Sequence, residues 1–460
     1  MKTRATALLV LGTLAGCGGP GAAPARNEPT APKAPIADRA ADAGAETKPE
    51  ATLSSKESKV VARTLAKVAE IRGVRATRPV PGVRLKREEL VGRIKEKALR
   101  EYPPEALRRE GQVLQLLGFA PPTFDYLAEM MRLLEAQLEG FYEPNNGTMY
   151  LASELRGVEA EATLAHELVH ALQDQNWDLK SRSKYRPGHG DETMALAALA
   201  EGDATSAMFD YVMKPDKTAL DMPEEMMRDL MRSSMNTGTA QSVPHILKTT
   251  LVSPYVDGLA FVHALRRKGG FEAVNRAWAR PPMTTEQILH VDKWEKNEAA
   301  IAVPAPSMSA LGEGWKTDDE DTFGELGLGL ALGEWIDAED ARKMATGWGG
   351  DRSAMFSKGE EIALAIHVRY DDAAGKPDAY AERATSKLFP ALPKTFGKPT
   401  THSATAVCFE RKDLGPLLVA RRKNDIVVLA GPARATKTTW SSTSTCASVG
   451  KWADEILTQK

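Results

Sequence analysis

Two histidines four residues apart, with a glutamate beside the first, stand in Thr163-Leu164-Ala165-His166-Glu167-Leu168-Val169-His170-Ala171-Leu172. Helical residues i and i+4 share a face, so His166 and His170 can present ring nitrogens to one point. A zinc ion takes such a pair, and Glu167 can then reach a water on the ion and accept its proton. The side chains between and around them carry no charge, as expected of a helix buried around a metal. A tetrahedral site needs a third protein ligand and an open fourth position. Two downstream residues compete for that role. His189 sits in a polar loop between Gly188 and Gly190. Glu201 follows eight uncharged residues, and a carboxylate in such surroundings is costly unless a cation neutralises it. Glu201 is preferred, because a glycine-flanked loop holds fixed geometry less well than a helix.

Helical spacing and end signals predict the elements that carry these groups. The metal helix runs over Gly157–Asn176, and the run Asp191–Thr205 reads as a second helix returning against it. Scaffold helices are expected at Lys59–Arg72, Arg87–Arg100, Pro104–Leu117 and Thr123–Gln137. Aromatic runs on either side of Pro144-Asn145-Asn146-Gly147 signal a hairpin between Gly140 and Leu151. Tyr255 follows Pro254 and precedes a helix expected at Asp257–Lys268. Asp174, one turn after His170, reads as a helix-surface acid or as a partner behind the ligands. His245, His263 and His290 read as packed or surface histidines.

After about Ala299 the character changes. Val303-Pro304-Ala305-Pro306 reads as a connector and Asp318-Asp319-Glu320-Asp321 as a solvated acidic turn. Helices are expected at Phe323–Trp335, Ala338–Thr346, Asp378–Leu388 and Ala447–Leu457. Trp348–Arg352 reads as a tight turn before a strand at Glu361–Tyr370. Further strands are expected at Thr405–Arg411, Leu417–Arg422 and Ile426–Ala430, with a hairpin turn at Arg422–Asp425. Nothing in this half forms a catalytic constellation. Cys408 and Cys446 are expected to pair in an exported chain.

Export is read from the other end. Lys2 and Arg4 precede a short apolar run and Leu14-Ala15-Gly16-Cys17, too short to span a bilayer and typical of a secretion signal. Leu-Ala-Gly-Cys resembles the bacterial lipoprotein cleavage box, which implies a membrane anchor on lipidated Cys17. Gly18 after it implies the outer membrane. Residues 18–58 are Ala-, Pro- and Gly-rich and bury too little to fold, so they read as a tether. The net charge of −2 offers no basic surplus for nucleic acid.

With His166 and His170 on one helix, Glu167 between them and Glu201 on a later helix, the chain resembles the gluzincins. These are zinc peptidases with two histidines on one helix and a glutamate on a later one. Gln173 and Asn176 stand where the metzincin pattern has a glycine and a third histidine. The wider run His166-Glu167-Leu168-Val169-His170-Ala171-Leu172-Gln173-Asp174-Gln175, followed by Ala198-Leu199-Ala200-Glu201-Gly202-Asp203-Ala204, resembles a group of bacterial lipoproteins and secreted proteins, and that likeness extends to Ser253–Gly258 and Pro282–His290. The likeness covers about Gly140 to Trp294. It implies Zn2+ on His166, His170 and Glu201, Glu167 as general base, and a peptide or protein substrate. It also implies a hairpin strand lining the cleft, unless that hairpin is merely structural. A Tyr or His often donates to the oxyanion in zinc peptidases, and Tyr255 is the candidate. Thermolysin-like enzymes place an Asp four residues after the ligand Glu. Here Asp203 is two after and Thr205 four after, which leaves open what orients His166.

The expected fold is α+β and mainly helical. It comprises a zincin-like metallopeptidase core at residues 59–300 and a C-terminal α/β domain at 301–460, after a signal peptide at 1–17 and a tether at 18–58. The rival reading is a zincin fold retired from catalysis and used for envelope binding or assembly.

Overall fold

The computed structural model describes residues 53–155, 157–223, 225–229, 243–436 and 439–459. The expected signal peptide, and the tether as far as residue 52, lie outside the described residues. The chain is a mixed α+β protein dominated by helices. Helix α1 (Ser55–Arg72) begins inside the span expected to be tether. The signal overlooked there is a capping box: the Ser54 hydroxyl accepts from Glu57 N–H, and the Glu57 carboxylate accepts from Ser54 N–H. Strand β1 (Gly82–Leu85) was not foreseen; α2 (Arg87–Glu101), α3 (Pro104–Leu117) and α4 (Tyr126–Gln137) fall close to expectation.

The hairpin forms as β2 (Gly140–Glu143) and β3 (Thr148–Ala152), and β1 adds in parallel to β3, giving the order β1-β3-β2. Next come α5 (Gly157–Trp177), the short α6 (Leu179–Arg182) and α7 (Gly190–Met213). Helix α8 (His245–Ala279), broken by a kink at Gly269 and Gly270, corrects the expectation around Tyr255, which lies inside its first segment and not ahead of it. The helix passes through Pro254, because flanking Leu251, Tyr255 and Val262 are buried and their packing outweighs one missing hydrogen bond. Helix α8 lies hard against α7. A Cβ at Gly258 would stand 1.9 Å from Ala198 O, and one at Gly202 would stand 2.2 Å from the Gly258 backbone. Tyr255 lies three residues before Gly258 on the same helix.

Two short helices, α9 (Thr285–Leu289) and α10 (Val291–Lys296), lead to β4 (Lys316–Asp321). The acidic run is therefore a strand and not a solvated turn. Asp319 and Asp321 are buried, and Asp321 is retained there because its carboxylate accepts the Gly190 N–H at 2.7 Å. Helices α11 (Gly324–Gly333) and α12 (Ala338–Ala345) precede β5 (Trp348–Lys358). Here too a turn was expected at Trp348–Arg352 and a strand is found. Gly349 and Gly350 signal close passage and not reversal: a Cβ at Gly350 would meet Ile301 O at 2.1 Å. Then follow β6 (Glu361–Tyr370), α13 (Ala379–Phe396), β7 (Thr401–His402), β8 (Ala406–Phe409), β9 (Leu417–Arg422), β10 (Asp425–Ala435), β11 (Trp440–Ser442) and α14 (Cys446–Thr458). The sheet is antiparallel in the order β4-β5-β6-β10-β9-β8-β7, with β11 on β10. One face packs against α11 to α13 and against Val113, Leu116 and Leu117 of α3; the other is covered by α14 around Trp452. The expected Cys408–Cys446 disulfide is present and ties α14 to that second face. Among the described residues no helix is long and apolar enough to cross a membrane.

Candidate metal centre

Helix α5 is buried for most of its length because its neighbours α1, α7 and β2 cover it, so its two histidines face protein and not water. His166 Nε2 lies 3.1 Å from His170 Nε2 and 3.1 Å from Glu201 Oε2, and His170 Nε2 lies 3.4 Å from the same oxygen. Ligands at about 2.0–2.1 Å around a tetrahedral zinc lie about 3.3–3.4 Å apart, so the three donors form a face of suitable size. The donor set, two imidazoles and a carboxylate, suits zinc as well. His166 and Glu201 are fully enclosed, whereas the His170 side chain is 11% exposed and forms the edge toward solvent.

The electrostatics show how the groups answer one another without a cation. Burial alone would push the Glu201 carboxyl up, but the adjacent His170 and His166 hold it down at about 2. Burial works against a charge on His170 too, and Glu201 overrides it, raising the imidazole to about 9. A proton thus stands where a cation can stand. Glu167 shifts the other way: burial raises it, aided by Glu201 and opposed by the two histidines and a backbone hydrogen bond. That hydrogen bond comes from Tyr142 N–H on β2, which meets Glu167 Oε2 at 2.7 Å. Glu167 Oε1 is buried and has no hydrogen-bond partner among the described residues.

Of the other expected residues, Tyr255 is buried with its ring stacked 6.1 Å from that of His166. His189 is not brought to the cluster; its half-exposed side chain meets Glu192 at 2.8 Å. Asp174 proves buried: it accepts from Tyr142 Oη at 2.9 Å and from the Arg78 guanidinium at 2.5 Å. Tyr142 is thereby pinned at both ends to α5, which fixes β2 over Glu167. His245 pairs with Glu334, His263 with Ser206 and His290 with Glu325, all away from the cluster.

Two groups escaped the sequence reading. Gln173 accepts from His170 Nδ1 at 2.8 Å, and its position three residues on, on the same helix face, was the available signal. Tyr142 acts through its main chain, for which no local signal exists. Asp203 does not orient His166, whose Nδ1 has no hydrogen-bond partner among the described residues; it contacts Gln173 instead.

A family model described as a domain of unknown function (DUF8575) matches residues 311–440, within the C-terminal half and away from this cluster. No curated protein matches the chain.

Proposed function

We propose that the chain is a zinc-dependent peptide-bond hydrolase of gluzincin type with a zincin-like core, holding the ion on His166, His170 and Glu201. The observation that carries this reading is the convergence of three buried donor atoms 3.1–3.4 Å apart beside a buried glutamate with a free oxygen. Zinc bound there would polarise the scissile carbonyl and lower the pKa of its water to about 7. Glu167, anchored through Oε2 by Tyr142 N–H, has Oε1 available to take the proton of the attacking water and return it to the leaving amine. Tyr255, beside His166, is assigned to donate to the developing oxyanion. The place of action is the cell envelope at the outer membrane, through a lipid on Cys17.

The second reading, a zincin-like fold retired from catalysis, is favoured by the deep burial of His166, Glu167 and Glu201, which leaves only the His170 edge to solvent. One experiment separates the two. Purified protein should carry about one zinc per chain, lost on chelation. It should cleave members of a broad peptide library, and Glu167→Gln should keep the zinc while losing at least about a hundredfold in turnover. Zinc without any Glu167-dependent cleavage selects the retired fold; less than about a tenth of an equivalent of zinc removes both.

A further inference from the structure

A chain of enclosed polar groups runs from α1 and α8 through α7 to the back of one metal ligand. We infer that Gln173 and Asp203 are positioning residues of the metal centre: together they hold the His170 proton on Nδ1 and turn its Nε2 lone pair toward Glu201 and His166. This rests on the zinc reading above.

The hydrogen-bond pattern decides which way Gln173 faces. Its side-chain nitrogen donates to Ala200 O at 3.0 Å and to Asp203 Oδ2 at 3.1 Å. Both are pure acceptors, so the amide N–H groups must point at them, and Oε1 must be the atom 2.8 Å from His170 Nδ1. An amide oxygen only accepts. His170 therefore donates from Nδ1, and a neutral imidazole protonated there has its lone pair on Nε2.

Asp203 keeps Gln173 in that orientation. Its carboxylate accepts from Trp278 Nε1 at 2.9 Å and from Arg72 Nη2 at 3.2 Å, with Arg72 Nε at 2.7 Å from its other oxygen. Arg72 is in turn fixed by Asn275 Oδ1 at 3.1 Å and by the Phe271 ring. Four helices thus converge on one amide. Among the described residues His166 Nδ1 has no hydrogen-bond partner, so the specified tautomer belongs to His170. Outer partners of this kind typically change metal affinity 10–100-fold when removed.

The test is zinc affinity by competition with a chromophoric chelator, on the wild type, Gln173→Met and Asp203→Asn. Methionine keeps the length of Gln173 without its hydrogen bonds; asparagine cannot accept from every donor around Asp203. Each variant should bind zinc about 10–100-fold more weakly and show an altered visible spectrum when loaded with Co2+. Circular dichroism of the metal-free forms should match the wild type. Wild-type affinity and spectrum in both folded variants overturn the inference and leave the zinc reading standing. A wild type that binds no zinc removes the zinc reading, and this inference with it. Should neither variant fold, 15N-histidine NMR of the zinc-loaded wild type decides: a proton on His170 Nδ1 supports the inference, and metal on Nδ1 overturns it.

Discussion

At the scale of single residues, the chemistry turns on one carboxylate in an apolar helix face. Glu201 is 1% exposed, and a lone carboxylate there would protonate or weaken the fold. It remains ionised because both imidazoles face it. His189, the rival third ligand, is half exposed and engaged by Glu192. Glu201→Ala should therefore weaken zinc binding at least about tenfold, while His189→Ala changes it less than about twofold. Isothermal titration with both variants checks this. The reverse ranking would move the proposed ligand role to His189 and overturn the proposed gluzincin reading.

At the scale of elements, the site depends on how closely two helices approach. The motifs around Glu201 and Tyr255 each contain a glycine, Gly202 and Gly258, and the two meet at the crossing of α7 and α8. A methyl group at 258 would press into the Ala198 carbonyl, which is helix backbone and cannot rotate aside. Gly258→Ala should cost about 3 kcal/mol, the upper part of the usual range for overpacking, and shift Tyr255 away from His166. Gly450→Ala on α14 is the matched control, since a Cβ there meets nothing within 4 Å. It should leave stability unchanged or raise it by up to about 1 kcal/mol. Urea midpoints measure both, and equal midpoints for the two variants would show that α7 and α8 can separate without penalty.

At the scale of the whole molecule, buried acids gather where the helical half meets the sheet. Asp321 on β4 accepts Gly190 N–H from the start of α7, and Asp191 accepts Thr285 N–H at 2.9 Å. Burial, with Asp351 and Glu286 nearby, lifts the Asp191 carboxyl to about 7 although its bonds to Thr285 oppose the shift. The folded state then holds a proton that the unfolded chain releases near 4, so this stabilisation is complete below about 4 and lost as pH rises toward 7. Between those values Asp191 alone contributes a slope of up to about 1.4 kcal/mol per pH unit, falling with rising pH. Glu286, also raised to about 7 by burial, adds the same sign. Wild-type protein should accordingly resist urea better at pH 5 than at pH 7, and Asp191→Asn should flatten that difference. A slope unchanged in Asp191→Asn would mean that Asp191 is ionised throughout. A cleft of about 1040 Å³ also lies between elements of the two halves, lined by Val252, Asp257, His290, Glu325 and Arg342, and no residue of the metal cluster lines it.

The donor cluster was legible in the sequence because it is local. Four-residue spacing on a helix puts His166 beside His170, and the desolvation cost of a lone acid singles out Glu201 before any packing is known. Strands such as Glu361–Tyr370 and Leu417–Arg422 were legible for a similar reason, apolar composition bounded by turn residues. Contacts made by other elements were not legible. Asp318–Asp321 has the composition of a solvated turn, and backbone N–H groups of Gly190 and Thr322 offset the burial of Asp321. Whether Asp203 serves His166 or His170 depends on how far α7 is rotated against α5, which spacing along one chain does not contain. Tyr142 reaches Glu167 with a main-chain N–H that any residue but proline possesses, so no side chain could have announced it. Periodicity and burial cost act within a segment; orientation between segments is set by packing, and packing exists only in the folded chain.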